Sequence, residues 1–191
     1  MYDSNQGFAC LEDKRVLLLE ERLNEDSPLI QARAAWCLTA PIHDTDNLLR
    51  LIHDTNIEAV VFNDVLAKTA SITSLLRQIN QQLRPGGCLM VCEPYWGIDP
   101  IHEGARIQAL IHLRDHMHQQ PYRLIWQRGQ LYSIMQGLNL NDIIFDPTAS
   151  DVTDPPEHPF QSIFDQLPAL SQSHIRIGRM RMWGHKPARA T

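Results

Sequence analysis

Residues 58–94 read EAVVFNDVLAKTASITSLLRQINQQLRPGGCLMVCEP and carry the strongest local signal in the chain. Ala59-Val60-Val61-Phe62 is short and apolar throughout, the composition of a strand buried on both faces, and it runs into the polar pair Asn63-Asp64. From Ser71 onward Ile72, Leu75, Leu76, Ile79 and Leu83 recur at helical spacing, one apolar stripe on a polar helix. Arg84-Pro85-Gly86-Gly87 then breaks the helix, because proline suits the second place of a turn and glycine the positive φ that follows. Cys88-Leu89-Met90-Val91-Cys92-Glu93 is a second buried strand, expected to stop at Pro94. Strand, helix and strand within about 35 residues make a βαβ unit, which requires a parallel sheet. The fold class is α/β.

Working outward, Arg15-Val16-Leu17-Leu18-Leu19-Glu20 is another buried-strand run that ends in carboxylates. Asn24 to Arg33 predicts a short helix, with Asp26 and Ser27 as candidate caps and Pro28 in its first turn. Ala34 to Leu38 predicts a strand stopped near Pro41. Asp46 then caps a helix with Leu48, Leu49 and Ile52 on one face, ending near Asn56. Residues 1–14 are polar and irregular, an N-terminal arm or short helix ahead of a single domain over 15–191. Past residue 94 the pattern predicts helices over Ile101–Gln119 and Trp126–Gln136, the latter ended by Gly137 as a left-handed cap. A strand follows at Asp142–Phe145, then an exposed loop over Asp146–Pro159 and a helix through Phe160, Ile163, Phe164 and Leu167. His174–Trp183, with Arg179 and Arg181 on its polar face, predicts an antiparallel strand near an edge.

Composition narrows the function classes. With 191 residues, 43% of them hydrophobic, there is enough for one core. A net charge of -5, with 20% charged residues well mixed, argues against nucleic acid and anionic membranes as partners. Mean hydropathy is -0.27 and every apolar run is short, so no membrane span is expected. The acidic start lacks the pattern of a signal peptide, and four sparse cysteines read as thiols in a reducing compartment. A cytoplasmic location is the expectation. Only nine glycines occur, and none lies between Gly7 and Gly86.

The segment Glu58–Pro94 resembles the central part of the class I S-adenosylmethionine (SAM)-dependent methyltransferases. That family has an apolar strand ending near Asn or Asp, a helix closing in Leu-Arg-Pro-Gly-Gly, and a buried strand ending in an acid and proline. Here these are Ala59–Asp64, Leu83–Gly87 and Leu89–Pro94. Met135–Leu138 resembles the helix end before the sixth strand, and Met182–Pro187 the last strand and its exit, so the match covers about two-thirds of the chain. The resemblance implies a Rossmann-like three-layer sandwich, a reduced class I methyltransferase fold: a mostly parallel sheet with a C-terminal antiparallel strand.

The departure is at the cofactor. The family's first strand runs into a glycine-rich loop, where only residues without a Cβ allow the backbone to approach SAM closely. Here the early strand runs into Glu21-Arg22-Leu23-Asn24-Glu25-Asp26. If Val16–Glu20 is the first strand, the loop has lost its glycines; if it is the second, Glu20 matches the acid that binds the ribose hydroxyls and the first strand is absent. SAM is the cofactor the resemblance implies, and both threadings remove its loop.

Ligands of open α/β sheets sit beyond the carboxyl ends of the strands. Those ends would present Glu20, Glu21, Thr39, Asn63, Asp64, Glu93, Tyr95 and Trp96. Glu20, Asn63 and Asp64 are the candidate cofactor-binding residues; Glu93, Tyr95 and Trp96 are candidates for a substrate or partner cleft. His112 and His116 share one helix face with Asp115 nearby, but that face lies opposite the stripe of Ile107, Leu110, Leu113 and Met117 and reads as solvated. No metal is expected. Cys88 and Cys92 stand about 13 Å apart in an extended strand, too far for a shared metal or a disulfide. No nucleophile elbow, Walker loop or zincin motif occurs.

The leading expectation is a methyltransferase-like protein with a degenerate SAM site, a non-catalytic partner or a scaffold for a small-molecule ligand. An active SAM-dependent methyltransferase with a non-standard loop is the alternative. Metal binding through helix histidines is the third. A homo-oligomer, or a heteromer with an active methyltransferase, is the expected assembly.

Overall fold

The computed structural model describes residues 6–21, 26–42, 45–66, 69, 71–98, 126–146 and 175–188. A 3-10 helix at Gln6–Leu11 precedes β1 (Arg15–Leu19), α1 (Asp26–Arg33), β2 (Trp36–Ala40), α2 (Thr45–Asp54) and β3 (Ala59–Asn63). Then come α3 (Ile72–Gln82), β4 (Cys88–Ile98), β5 (Trp126–Gln127), α4 (Arg128–Gln136), β6 (Asn141–Asp146) and β7 (Ile175–His185). The strands form one sheet in the order β2-β1-β3-β4-β7-β6, with the short β5 beside β4. β2, β1, β3 and β4 are parallel; β7 is antiparallel to both β4 and β6. This is the mostly parallel Rossmann-like sheet with one antiparallel C-terminal strand, β7, that the sequence predicts.

The pleat sorts the apolar strand residues into two cores. Leu17, Leu19, Val60, Phe62, Leu89 and Val91 point to one face, where α2, α3 and α4 cover them with Leu48, Ile52, Leu75, Leu76, Ile79, Leu131 and Met135. Val16, Leu18, Ala59, Val61, Cys88, Met90 and Cys92 point to the other, under Ile30 of α1 and Phe8 and Leu11 of the 3-10 helix. Every residue of the β3 strand is buried, which explains its unbroken apolar run. Each such side chain contributes roughly 1.5–3 kcal/mol by leaving water.

The turn before β4 uses its two glycines for different reasons. Gly86 takes φ +77, where a side chain is strained. A Cβ on Gly87 would sit 2.9 Å from the Arg84 carbonyl oxygen and 3.2 Å from that of Glu58. The backbones of Gly86 and Gly87 also exchange hydrogen bonds with Lys186 at 2.9 and 2.8 Å, which fastens the turn to the exit of β7.

Several elements depart from expectation. Of the two alternatives for the N-terminus, an arm or a short helix, residues 6–11 form the helix, but packed rather than loose: Phe8 and Leu11 are fully buried, and the Arg181 guanidinium lies 4.7 Å from the Phe8 ring centroid. β7 is antiparallel and next to the edge strand β6, as expected, but the 3-10 helix covers its polar face at Arg181. β4 runs through Pro94 to Ile98. Cys92 directs its carbonyl toward Asp64 on the β3 side (3.0 Å), so by alternation the Pro94 nitrogen faces the same side, where β3 has already ended and no donor is needed. Trp126 and Gln127 pair with Tyr95 and Trp96 as β5, and the helix starts only at Arg128. Asn139, at φ +54, takes the left-handed position expected of Gly137, after successive turn bonds at Gly137, Leu138 and Asn139 unwind α4. The expected helices at 101–119 and 160–167, and the loop after Asp146, lie outside the described residues. Among the described residues no helix is long and apolar enough to cross a membrane.

Candidate functional site

The chain leaves β1 to form β2 on one side, then returns to place β3 on the other. The carboxyl ends of β1 and β3 therefore flank the topological switch point, where open α/β sheets form their ligand crevice. Leu19 pairs with Phe62, so Glu20 and Asn63 stand level at that point. They are joined there by Ser27, from the first turn of α1. Ser27 Oγ donates to Glu20 Oε2 at 2.5 Å, and Asn63 Nδ2 lies 3.1 Å from Glu20 Oε2 and 3.2 Å from Ser27 Oγ. All three residues are buried, Glu20 being 6% exposed. The second carboxylate oxygen, Glu20 Oε1, is buried with no hydrogen-bond partner. Such an acceptor costs on the order of 1–3 kcal/mol. The Glu20 charge, after burial itself, also holds the Cys37 thiol of β2 above the ordinary thiol range.

A second buried carboxylate lies one strand further on. Glu93 Oε1 accepts from the backbone N–H groups of Val65 (2.9 Å) and Leu66 (2.8 Å), just beyond β3. Glu93 is fully buried. Its carboxylate fills the anion-binding concavity made by successive N–H groups after a left-handed residue, here Asp64 at φ +56. Asp64 is half-buried at the mouth of the switch point and donates its own N–H to the Cys92 carbonyl.

The structure thus brings Glu20 and Asn63 into one cluster, with Asp64 following Asn63 in the chain. Glu93 is engaged with the loop after β3. Tyr95, 8% exposed, packs into the larger core. The Trp96 backbone pairs with Gln127 and Ile177; its side chain, like His112, Asp115, His116 and His118, is outside the described residues. Cys88 and Cys92 are fully buried core residues. Among the described residues no group of three or more His, Cys, Asp or Glu could hold a metal. Ser27 is the residue sequence reasoning missed. It reads as a helix cap, and the signal that could have revealed it is its place, seven residues past a strand-end acid, where a first helix meets the strand ends.

The sheet order agrees with either alignment of β1, because a doubly wound order 3-2-1-4-5 becomes the observed β2-β1-β3-β4 whether its third or its first strand is missing. In the first case Glu20 stands where the glycine loop would begin, and the second strand ends in Thr39-Ala40 without a carboxylate; in the second case Glu20 is the strand-end acid.

Solved structures share this arrangement. A protein from Bacillus halodurans assigned, without a stated substrate, to the methyltransferases superposes with TM-score 0.62 at 10% identity, covering 96% of this chain and 97% of that one. The YcgJ protein from Bacillus subtilis gives TM-score 0.54 at 10% identity, with 96% of each chain covered. Phosphoethanolamine N-methyltransferase 2 from Haemonchus contortus, solved with S-adenosyl-L-methionine, gives TM-score 0.56 at 12% identity, over 96% of this chain and 53% of that one. No protein-family model matches the sequence, and none of the curated proteins does. The chain has the class I SAM-dependent methyltransferase fold.

Proposed function

We propose that this is a methyltransferase-like protein with a degenerate SAM site, acting as a non-catalytic partner or as a scaffold for another small-molecule ligand. The observation that supports it is the buried Glu20–Ser27–Asn63 cluster at the end of the first strand. A glycine loop at that point admits SAM because backbone, without side chains, lines the approach. Here three side chains bonded to one another take up the space, so the residues present do not fit that manner of holding SAM.

The alternative, an active enzyme that grips SAM through Glu20, Asn63 and Asp64, draws support from one feature: Glu20 Oε1 is an acceptor without a donor, at the place where hydroxyl groups of a ligand would come. Isothermal titration with SAM and S-adenosylhomocysteine separates the two. The proposal expects no saturable binding in the micromolar range. Micromolar binding that disappears in Glu20→Ala, together with methyl transfer, would establish the alternative instead.

A further inference from the structure

We infer that the β2 edge is a self-association surface, where a second copy of this chain adds its own β2 antiparallel across a two-fold axis at Leu38. Among the described residues β2 pairs with β1 alone. Among the described residues no element covers it: Thr39 is exposed, Cys37, Leu38 and Ala40 are only half-buried, and Trp36 is 37% exposed, whereas β1 past Arg15 and β3 are buried throughout.

The backbone at this edge is set for pairing. Trp36 N–H turns inward to the Lys14 carbonyl, so by alternation Cys37 and Thr39 direct their N–H and C=O groups outward. A two-fold axis at Leu38 places Cys37 opposite Thr39 of the second copy, and Thr39 opposite Cys37. Both are then hydrogen-bonded pairs of an antiparallel ladder, with Leu38 facing Leu38 between them.

Charge selects the occupant. Exposed edges are normally guarded by charge, proline or a bulge. The β6 edge has such guards: the exposed Asp142 at φ +52, and a register irregularity between Asn141 and Ile144. β2 has none, its sequence being Trp-Cys-Leu-Thr-Ala in a chain of net charge -5. Two β6 edges would oppose carboxylates, whereas two β2 edges meet without like charges. The antiparallel sense also sets the strand exit, which carries Glu21 and Asp46, against the entrance, where Arg15 lies beside the Arg33–Glu12 ion pair.

Sedimentation equilibrium of the full chain at about 100 μM tests this, with Thr39→Pro as the variant. Proline is tolerated on an edge strand whose N–H faces outward, so circular dichroism should be unchanged while dimerisation weakens about tenfold or more. Leu38→Cys should form a covalent dimer when oxidised glutathione accepts the electrons of the two thiols. A wild-type chain that stays monomeric overturns the inference. So does a dimer that Thr39→Pro leaves intact and Leu38→Cys does not crosslink, because association then uses another face. The inference is independent of any cofactor, and its failure leaves the SAM titration unaffected.

Discussion

Glu93 offers the sharpest test of how the loop at the candidate site is held. Its carboxylate is fully buried and accepts from two consecutive backbone N–H groups at 2.9 and 2.8 Å. Backbone donors cannot rotate to other partners, so Glu93→Ala orphans both in a dry interior. Glu93→Gln keeps a carbonyl oxygen of the same reach but loses the charge. The relief from burying a charge is common to both variants and cancels in their difference. What remains is two neutral hydrogen bonds at about 0.5–1.5 kcal/mol each, plus the one methylene lost to alanine at about 0.8 kcal/mol. Glu93→Ala should therefore be less stable than Glu93→Gln by roughly 2–4 kcal/mol. In thermal unfolding of a chain this size that is a gap of about 5–15 °C. Urea unfolding measures the free energies, and hydrogen exchange localises them: the Val65 and Leu66 amides should be protected in wild type and open in Glu93→Ala. Equal midpoints for the two variants, or amides that stay protected without the carboxylate, would refute the clamp.

Glu20 should behave differently, because Ser27 and Asn63 remain bonded to each other without its charge. Glu20→Gln is expected to change stability by less than about 1 kcal/mol in the same urea assay; a loss as large as that of Glu93→Ala would mean that the cluster depends on the carboxylate. Phe8→Ala should cost about 3–4 kcal/mol as a core deletion, and a loss below about 1 kcal/mol would restore the loose-arm description of the N-terminus. Cys10 is held protonated by its hydrogen bond with Cys88 and then by burial, which push its thiol upward. Iodoacetamide should therefore label it far more slowly in the native chain than in urea. The unfolded thiol ionises first as pH rises, so stability should fall on entering the alkaline thiol range; quantitative native labelling at mild pH would contradict this.

The βαβ unit was legible because its signals are local. The stripe from Ile72 to Leu83 and the Pro-Gly-Gly turn depend on spacing and backbone conformation alone, and both occur as expected. Where expectation failed, the deciding partner was distant in sequence. Pro94 stops a strand only if a neighbour needs its N–H, and β3 ends before that point. Arg181 belongs to a polar face until Phe8, far away in the chain, closes over it. Ser27 reads as a cap because its bond to Glu20 depends on where α1 docks.

The glycine-free stretch between Gly7 and Gly86 shows from composition alone that no glycine-rich turn follows Val16–Glu20, where close backbone approach to a ligand would need residues without a Cβ. It left open which strand Val16–Glu20 is, because strand order arises from long-range pairing that no local pattern encodes. Pairing on both sides, with β2 and with β3, placed β1 inside the sheet and set Glu20 beside Asn63 at the switch point. Those two residues are 43 positions apart in the chain, and only the parallel register of β1 and β3 makes them neighbours.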